Sequence, residues 1–354
     1  MKEPVYFIKT ADQEPDDLVA GKLRKLIEEK NLFGFIEKND MIAVKTHFGE
    51  TPKSGYIRPL HIKVIGDLVK EKKGKPFLTE TSTLYKGNRN NALDHIAHAH
   101  NQGFGYEATG MPVIMADGLY GDEEAVVDVP GKLYSSVNIA SLVKKIQGMV
   151  VASHFTGHLG AGFGAALKNL GMGLSSRKGK MTQHSTARPS IIVKKCTRCG
   201  MCVKWCPAEA VTLNEASAVI DSVKCIGCGQ CLAVCRFDAV GYNWGATYDD
   251  LQKKVVEHAW GVHRVLEKKI IYINYLTRVS KDCDCMTVYE KIVPDIGVLV
   301  SADPVAIDAA SLDLVEQAGG KGLGDLAYDI PYRVQLEYAR EIGFGSDGYN
   351  LIEA

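Results

Sequence analysis

The apolar positions in the first 150 residues form short runs that alternate with stretches of helical periodicity. The run from Met41 to Thr46 predicts a buried strand. The pattern from Arg58 to Val69 predicts a helix that has Pro59 at its first position. The same criteria predict strands at 75–79, 113–116 and 148–153, two short strands within 125–137, and helices at 92–100 and 138–146. Strands that alternate with helices indicate an α/β domain with a mostly parallel sheet.

A similar pattern returns after residue 247. It predicts helices at 248–268 and 331–342, strands at 270–275 and 296–300, and a helix that Asp303 caps and Pro304 begins. The stretch 189–246 differs, because it holds many cysteines and only one short predicted hairpin, around Asn214-Glu215. We therefore expect an α/β host made of residues 1–188 and 247–354, interrupted by a small α+β ferredoxin-like module at 189–246.

Eight of the ten cysteines occur in two runs with the same C-x-x-C-x-x-C-x-x-x-C spacing, offset by 29 residues. This is the two-cluster bacterial ferredoxin pattern, in which the fourth cysteine of each run ligates the other cluster. A structural zinc site would need four cysteines in two pairs. We therefore expect two [4Fe–4S] clusters, one ligated by Cys196, Cys199, Cys202 and Cys235, the other by Cys225, Cys228, Cys231 and Cys206.

Composition narrows the class of partner. Lysine plus arginine equals aspartate plus glutamate, 42 against 42, which argues against a nucleic-acid or anionic-membrane partner. No apolar run approaches the roughly 18 residues of a spanning helix, and the first residues do not form a signal peptide. Ten cysteines without such a leader indicate a reducing compartment, so we expect a cytoplasmic protein.

Polar side chains follow several predicted strands. His47 comes after the first strand, and the hydroxyl-rich segment 79–83 comes after the second. Ligands of open α/β sheets bind beyond the carboxyl ends of strands. A loop histidine bonded to backbone and ordinary turn chemistry are the alternatives at these two places. For His95, His98 and His100, on a predicted helix, we favour a solvated face over a metal site.

A glycine-rich segment follows the strand 148–153. It contains His154 and His158, then Gly160, Gly162 and Gly164, then Lys168, with His184 further on. Glycines at a strand-to-helix turn free N–H groups and a helix N-terminus for an anion, but their spacing fits neither a Walker loop nor a dinucleotide fingerprint. A lysine in such a place pairs an anionic group or acts covalently. We expect these residues to form a ligand site.

The two remaining cysteines, Cys283 and Cys285, occur in the sequence Asp-Cys-Asp-Cys after a predicted strand. A C-x-C pair is too close for an easy disulfide. Thiols and carboxylates together suit either a metal site or a reactive thiol, and buried cysteines without chemistry are the alternative.

Four stretches of the chain resemble the uncharacterised Fe–S centre proteins of the domain-of-unknown-function family 362. These stretches are Lys45–Glu50, Gly55–Pro59, Ala116–Gly118 and Ser153–Gly173. The resemblance covers nearly the whole chain. It implies an α/β host that is interrupted by a cluster module, and it brings no established reaction.

A weaker resemblance is to the lactate racemases that carry a nickel-pincer nucleotide. In that family a histidine is followed ten residues later by the cofactor-bearing lysine and sixteen residues after that by a second histidine. His158, Lys168 and His184 have this spacing. The Ala-Ala-Leu before Lys168 departs from the double-glycine and arginine stretch of that family. The resemblance implies common fold ancestry and leaves the cofactor open.

Together these patterns predict an iron–sulfur redox protein. Its clusters would exchange electrons with a reducible ligand in a host pocket formed by His47, His154, His158, Lys168, Cys283 and Cys285. One alternative is an electron carrier that docks a donor or acceptor protein. Another is a racemase-like isomerase with structural clusters, which would need a further metal or organic cofactor.

Overall fold

The computed structural model describes residues 2–51, 55–85, 87–184, 189–225, 227, 229–242 and 248–354. Its strands are β1 (Glu3–Lys9), β2 (Met41–Lys45), β3 (Lys75–Glu80), β4 (Val113–Met115), β5 (Glu124–Asp128), β6 (Ser136–Ala140), β7 (Gly148–His158), β8 (Gly162–Gly164), β9 (Pro189–Ile191), β10 (Val211–Leu213), β11 (Ala218–Ile220), β12 (Val240–Tyr242), β13 (Ile270–Ser280), β14 (Gly297–Ser301) and β15 (Tyr349–Glu353). Its α-helices are α1 (Asp16–Glu29), α2 (Pro59–Glu71), α3 (Ala92–Ala99), α4 (Tyr106–Thr109), α5 (Ala166–Gly171), α6 (Arg177–Gln183), α7 (Met201–Lys204), α8 (Gln230–Val234), α9 (Tyr248–Leu266), α10 (Pro304–Gly319), α11 (Leu323–Leu326) and α12 (Val334–Ile342).

Nine of the described strands form one sheet, in the order β15-β1-β14-β13-β7-β2-β3-β4, with β8 paired to β7. The pairs from β13 to β4 are all parallel, and β14 is antiparallel to both of its neighbours. The predicted α/β class with a mostly parallel sheet is confirmed. β13 and β7 are the central partners, although 111 residues separate the end of β7 from the start of β13 in the chain (158 to 270).

Apolar cores lie on both faces of the sheet, as expected for parallel strands covered by helices. Successive residues of β2 alternate between them: Ala43 belongs to one core, and Ile42 and Val44 belong to the other. Helices α5, α9 and α10 cover the first core, and α1 and α2 cover the second. Burial on both faces explains why these strands appear in the sequence as continuous apolar runs.

Residues 189–242 have a small core of their own. It includes Val211, Leu232, Val240 and several of the cysteines. β9 pairs with β12, so the first and last strands of this segment are neighbours. The predicted hairpin is confirmed as β10 and β11. The domain boundaries stay predictions, and the expected linker at 185–188 and the end of the segment at 243–246 lie outside the described residues.

One predicted element is wrong. The expected helix at 138–146 is instead the end of β6 followed by a short 3-10 helix at Ser141–Lys145. Pairing of β6 with β5 fixes Val137 and Ile139 in the core, and this tertiary contact overrides the local helical pattern. Strands β1 and β15 and helix α1 were not predicted. Within the described residues, no helix is both long and apolar enough to cross a membrane.

Candidate functional site

The carboxyl ends of β2, β3, β7 and β13 meet at one edge of the sheet, beside a cavity of about 640 Å³. This is where ligands of open α/β sheets bind. Of the predicted host-site residues, His47, His154, His158, Gly160, Gly164, Lys168, His184, Cys283 and Cys285 line the cavity. Gly162 does not: it adopts φ +75° and its Cα faces the backbone of Tyr332.

Helix α5 places Lys168 in the cavity. Its first two N–H groups, those of Ala166 and Leu167, donate to the buried carboxylate of Asp308 at 2.8 and 2.9 Å. Burial raises the pKa of Asp308 to about 7, against the opposing effect of these hydrogen bonds and one from Asn274. The N-terminus of α5 is therefore filled by a protein carboxylate. The expectation that it holds an external anion is wrong for this structure.

The ammonium group of Lys168 differs from the other cations of the cavity. Within the described part of the chain it has no hydrogen bond and no ion pair. Burial acts to lower its pKa, but the nearby Cys283, Cys285 and Asp284 raise it above the usual value. Lys168 is therefore a charged group that an anionic ligand would neutralise.

The predicted histidines have different environments. Nδ1 of His158 accepts from the N–H groups of Gly160 and Ala161, at 3.0 and 2.9 Å, so its proton is on Nε2. Burial and the charge of Lys168 lower its pKa to about 3, and the ring is neutral. Burial and Lys168 also lower the pKa of His184, to about 4. Both rings are therefore uncharged at neutral pH.

His154 fixes the loop that carries the two thiols. Its Nδ1 lies 3.0 Å from both carboxylate oxygens of Asp284, and its Nε2 lies 3.0 Å from the carbonyl oxygen of Thr277. Both ring nitrogens are thus engaged by the segment 277–284. The side chain of His154 holds this loop against β7. Because both of its nitrogens are engaged, we expect other groups to transfer protons.

The thiol of Cys285 lies in a cluster of polar groups. Its Sγ is 3.5 Å from Nε2 of His47, and that nitrogen is 2.7 Å from NH1 of Arg89. Arg89 also pairs with Glu50 at 3.1 Å. A hydrogen bond with Cys283, together with His47 and Arg89, lowers the pKa of Cys285 well below its usual value, although burial opposes this. The same hydrogen bond and burial raise the pKa of Cys283.

Buried charges support the floor of the cavity. Lys45 and Glu80 form an ion pair of 2.8 Å, and Lys45 also donates to Asn169 at 2.6 Å. Lys180 donates to Thr81 at 2.5 Å, and its pKa falls to about 8 because it is buried. Glu80 follows a predicted strand, so its position gave a signal. Arg89 stands in no pattern that would have revealed it.

His95 and His98 correct another expectation. We expected a solvated helix face, but both side chains are buried and only His100 is exposed. Nε2 of His98 donates to the carbonyl of Gly49 at 3.0 Å. His95 packs edge-on against Phe48. Among the described residues, no three or more His, Cys, Asp or Glu side chains are arranged to hold a metal ion.

A second, smaller cavity lies in the segment 189–242. It is lined by Cys196, Cys199, Cys202 and Cys235, which are the four ligands assigned to one cluster from the sequence. The N–H groups of Ala218 and Ala239 donate to Sγ of Cys196 and Cys235, each at 3.3 Å. Four thiols around one cavity with N–H donors to sulfur fit a [4Fe–4S] cluster. Of the other set, Cys228 lies outside the described residues.

The cysteine-rich segment contacts the host through residues that flank the second set of cysteines. A Cβ at Gly229 would lie 3.0 Å from Met181 of α6. Gln230 donates to Asp122 at 3.1 Å, and the ring of Trp205 lies 6.1 Å from that of Tyr120. Helix α6 also carries Lys180, which lines the large cavity. This helix therefore contacts both the cysteine-rich segment and the candidate site.

Comparison of the sequence with known protein families shows the family to which this chain belongs. The family described as "Domain of unknown function (DUF362)" matches residues 42–313, well over half of the chain. No curated protein matches the sequence.

Two solved structures are similar in part. One is the lactate racemase apoprotein from Thermoanaerobacterium thermosaccharolyticum, with 10% identity and a TM-score of 0.40 over 78% of this chain and 51% of that one. The other is a structural-genomics target from Thermotoga maritima, with 11% identity and a TM-score of 0.45 over 88% of this chain and 60% of that one. The chain thus spans about half and three fifths of their respective lengths.

Proposed function

Because the chain belongs to the DUF362 family, whose description assigns no reaction, we propose a function from the site itself. The protein is an iron–sulfur redox protein. Two [4Fe–4S] clusters in residues 189–242 exchange electrons with a small anionic, reducible ligand in the large cavity of the α/β host. Thiolate-ligated clusters suit a reducing compartment, and we place the protein in the cytoplasm.

The cysteine spacing and the cavity around the first set support cluster binding. Cys196, Cys199, Cys202 and Cys235 come from both runs yet line one space. In two-cluster ferredoxins, the fourth cysteine of each run characteristically ligates the cluster of the other run. Cys206, Cys225, Cys228 and Cys231 would hold the other cluster. When bound, such clusters supply one-electron transfer.

The packing on α6 is the observation that favours electron transfer to the cavity. Gly229, between two cysteines of the second set, lies against Met181 and Arg177. Trp205 precedes Cys206 and contacts the host ring of Tyr120. The second cluster would therefore be the inner one, one helix away from the ligand. The first set faces outward, since Cys199 is exposed, and would meet an external electron partner.

The charges in the cavity favour an anionic ligand. Lys168 offers an unpaired ammonium group, and neutral His158 has an Nε2–H donor on its ring. The 640 Å³ volume accommodates a small metabolite-sized molecule. Lys168 and His158 bind and orient this ligand, while β7, α5 and α9 line the cavity around it.

Anaerobic purification with iron analysis tests cluster binding, and reduction followed by EPR tests electron transfer. We expect about eight irons per chain, as two [4Fe–4S] clusters require. Incubation of the reduced protein with candidate anionic oxidants should reoxidise the clusters in the native protein, but more slowly in Lys168→Gln. Equal rates in both proteins would instead favour an electron carrier. Stoichiometric zinc with little iron would exclude the proposal.

A second candidate is a cofactor-dependent isomerase. It is supported by His158, Lys168 and His184, which line the same cavity. Lys168 would then carry a covalent adduct, and the clusters would be structural. Intact mass under denaturing conditions distinguishes the candidates, because an added mass that maps to Lys168 appears only in the second.

A further inference from the structure

The thiol of Cys285 is not needed for electron transfer, yet it lies beside His47 and Arg89 in the wall of the cavity. We propose that Cys285 is a nucleophilic thiolate, which attacks a carbonyl carbon of a substrate whose anionic group is held by Lys168. The residues that take part belong to the host cavity, whether or not the cysteine-rich segment contains iron.

Positive and hydrogen-donating groups surround the sulfur. Arg89 and Tyr85 both lie close enough to interact electrostatically with Cys285. A guanidinium group does not lose its proton, so Arg89 keeps a positive charge beside the sulfur. The fully buried position of this arginine reduces screening by solvent. Reactive cysteines occur in electropositive surroundings of this kind.

The tautomer of His47 decides whether this ring donates a hydrogen bond to the sulfur of Cys285. Its Nδ1 lies 2.9 Å from the N–H of Gly49, which favours the proton on Nε2 and donation to the sulfur. The 2.7 Å contact of Nε2 with Arg89 favours the other tautomer, in which the ring accepts from the guanidinium. In a neutral ring, Nε2 of His47 cannot both donate to the sulfur of Cys285 and accept from Arg89. In each case the cluster retains the arginine charge that stabilises a thiolate.

The two cysteines have different roles. Sγ of Cys285 lies 3.5 Å from Nε2 of His47, and the hydrogen bond between the two cysteines lowers the pKa of Cys285 and raises that of Cys283. Cys285 is then the nucleophile and Cys283 the donor. The titratable and charged groups around Cys285 are His47, Tyr85, Arg89, His158, Lys168, Cys283 and Asp284.

Lys168 selects the substrate class. Its ammonium group lines the same cavity as both cysteines, and the nearby thiolate of Cys285 acts to raise its pKa. In the reaction the sulfur electron pair forms the S–C bond, the carbonyl π bond breaks, and its electron pair moves to oxygen. The negative charge of the thiolate therefore passes to the carbonyl oxygen, while the substrate's own anionic group stays with Lys168, and no co-reactant is required.

Alkylation kinetics test this inference without knowledge of the substrate. The native protein is treated anaerobically at pH 6 to 9 with iodoacetamide, and modified cysteines are identified by peptide mapping. An ordinary thiol is only about 3% ionised at pH 7. We expect Cys285 to react about tenfold faster than Cys283 at pH 7, with little change in rate as the pH rises.

Charge selection is tested with iodoacetate, an anionic probe of similar size. We expect the ratio of iodoacetate to iodoacetamide rates at Cys285 to fall about tenfold in Lys168→Gln and to persist in Lys168→Arg. Equal reactivity of the two cysteines, or a Cys285 rate that rises with pH as for an ordinary thiol, would contradict the assignment of Cys285 as the nucleophile. An unchanged ratio of the two rates in Lys168→Gln would contradict the selection of an anionic substrate by Lys168. Mapping of the native protein decides the first point even if a variant fails to fold.

Discussion

A methyl group added at Gly229 would lie 3.2 Å from Cγ of Arg177, which places the cysteine-rich segment in direct contact with the host. Gly200 is the corresponding residue of the first cysteine run, and a methyl group there would meet nothing within 4 Å. Both glycines have positive φ, +71° and +76°, and both precede a short helix. Substitutions at the two glycines share the backbone strain, but only the one at Gly229 affects the contact with α6. A comparison of the two therefore distinguishes these effects.

We expect Gly229→Ala to loosen this contact and Gly200→Ala to leave it intact. Both substitutions add strain of roughly 1 kcal/mol because φ is positive. Only Gly229→Ala adds overpacking, of about 1–3 kcal/mol. Chemical denaturation, followed by absorbance of the clusters and by circular dichroism, measures the difference. Equal losses of stability would show that the contact contributes nothing.

Iron content tests the assignment of the cysteines. Cys199 lines the small cavity, whereas Cys283 lies in the host. Cys199→Ser should reduce the iron from about eight to about four per chain, because one of two [4Fe–4S] clusters loses a ligand. Cys283→Ser is the matched control and should keep all the iron. Loss of iron from Cys283→Ser alone would place the metal in the host cavity.

The buried pair of Lys45 and Glu80 predicts a large effect on stability. Both side chains are buried, and burial lowers the pKa of Lys45 against the attraction of Glu80. Glu80→Gln leaves a buried ammonium group without its counter-charge and should cost about 3–5 kcal/mol of unfolding free energy. The double variant Lys45→Met, Glu80→Leu should recover part of this loss.

Glu341→Gln is the surface control for that experiment. Glu341 pairs with Lys132 at 2.5 Å, but both side chains are more than half exposed. Exposed pairs contribute little to stability. We therefore expect denaturation midpoints close to those of the native protein. Similar midpoints for Glu80→Gln and Glu341→Gln would contradict the structural role of the buried pair.

The buried histidines predict loss of stability in acid. Burial lowers the pKa of His258 to about 4, and Nδ1 of this ring donates to the carbonyl of Lys254 at 2.8 Å. The folded-state pKa is below the unfolded value of about 6.5, so the unfolded chain binds more protons between these values. The stabilising effect is complete above pH 6.5 and is lost as the pH falls through 4.

His258→Phe should flatten this dependence. The ring of Tyr134 packs against His258, and phenylalanine keeps an aromatic partner there. Removal of the titration should reduce the loss between pH 6.5 and 4 by roughly 3 kcal/mol. The other buried histidines account for the remaining dependence of stability on pH. Denaturation midpoints across pH measure it, with exposed His100→Gln as the control that should change nothing.

The sequence by itself determined many elements of the sheet and its helices, and it indicated candidate residues for chemistry. Apolar runs and helical periods identified β2, α2 and α9, because local propensity and burial agree there. Cysteine spacing alone grouped Cys196, Cys199 and Cys202 with the distant Cys235. The end of a strand identified His47 as a site candidate, since carboxyl ends of parallel strands meet at one edge, and the glycine-rich segment identified Lys168.

Only the tertiary structure decided which side chains meet. Cys285 and His47 are 238 residues apart in the chain, and their contact depends on the strand order β13-β7-β2. Asp308 fills the N-terminus of α5 from a helix 142 residues away. Arg89 becomes a buried cation beside a thiol. Periodicity states which face of an element is buried but not which neighbour covers it, and pKa values depend on that neighbour.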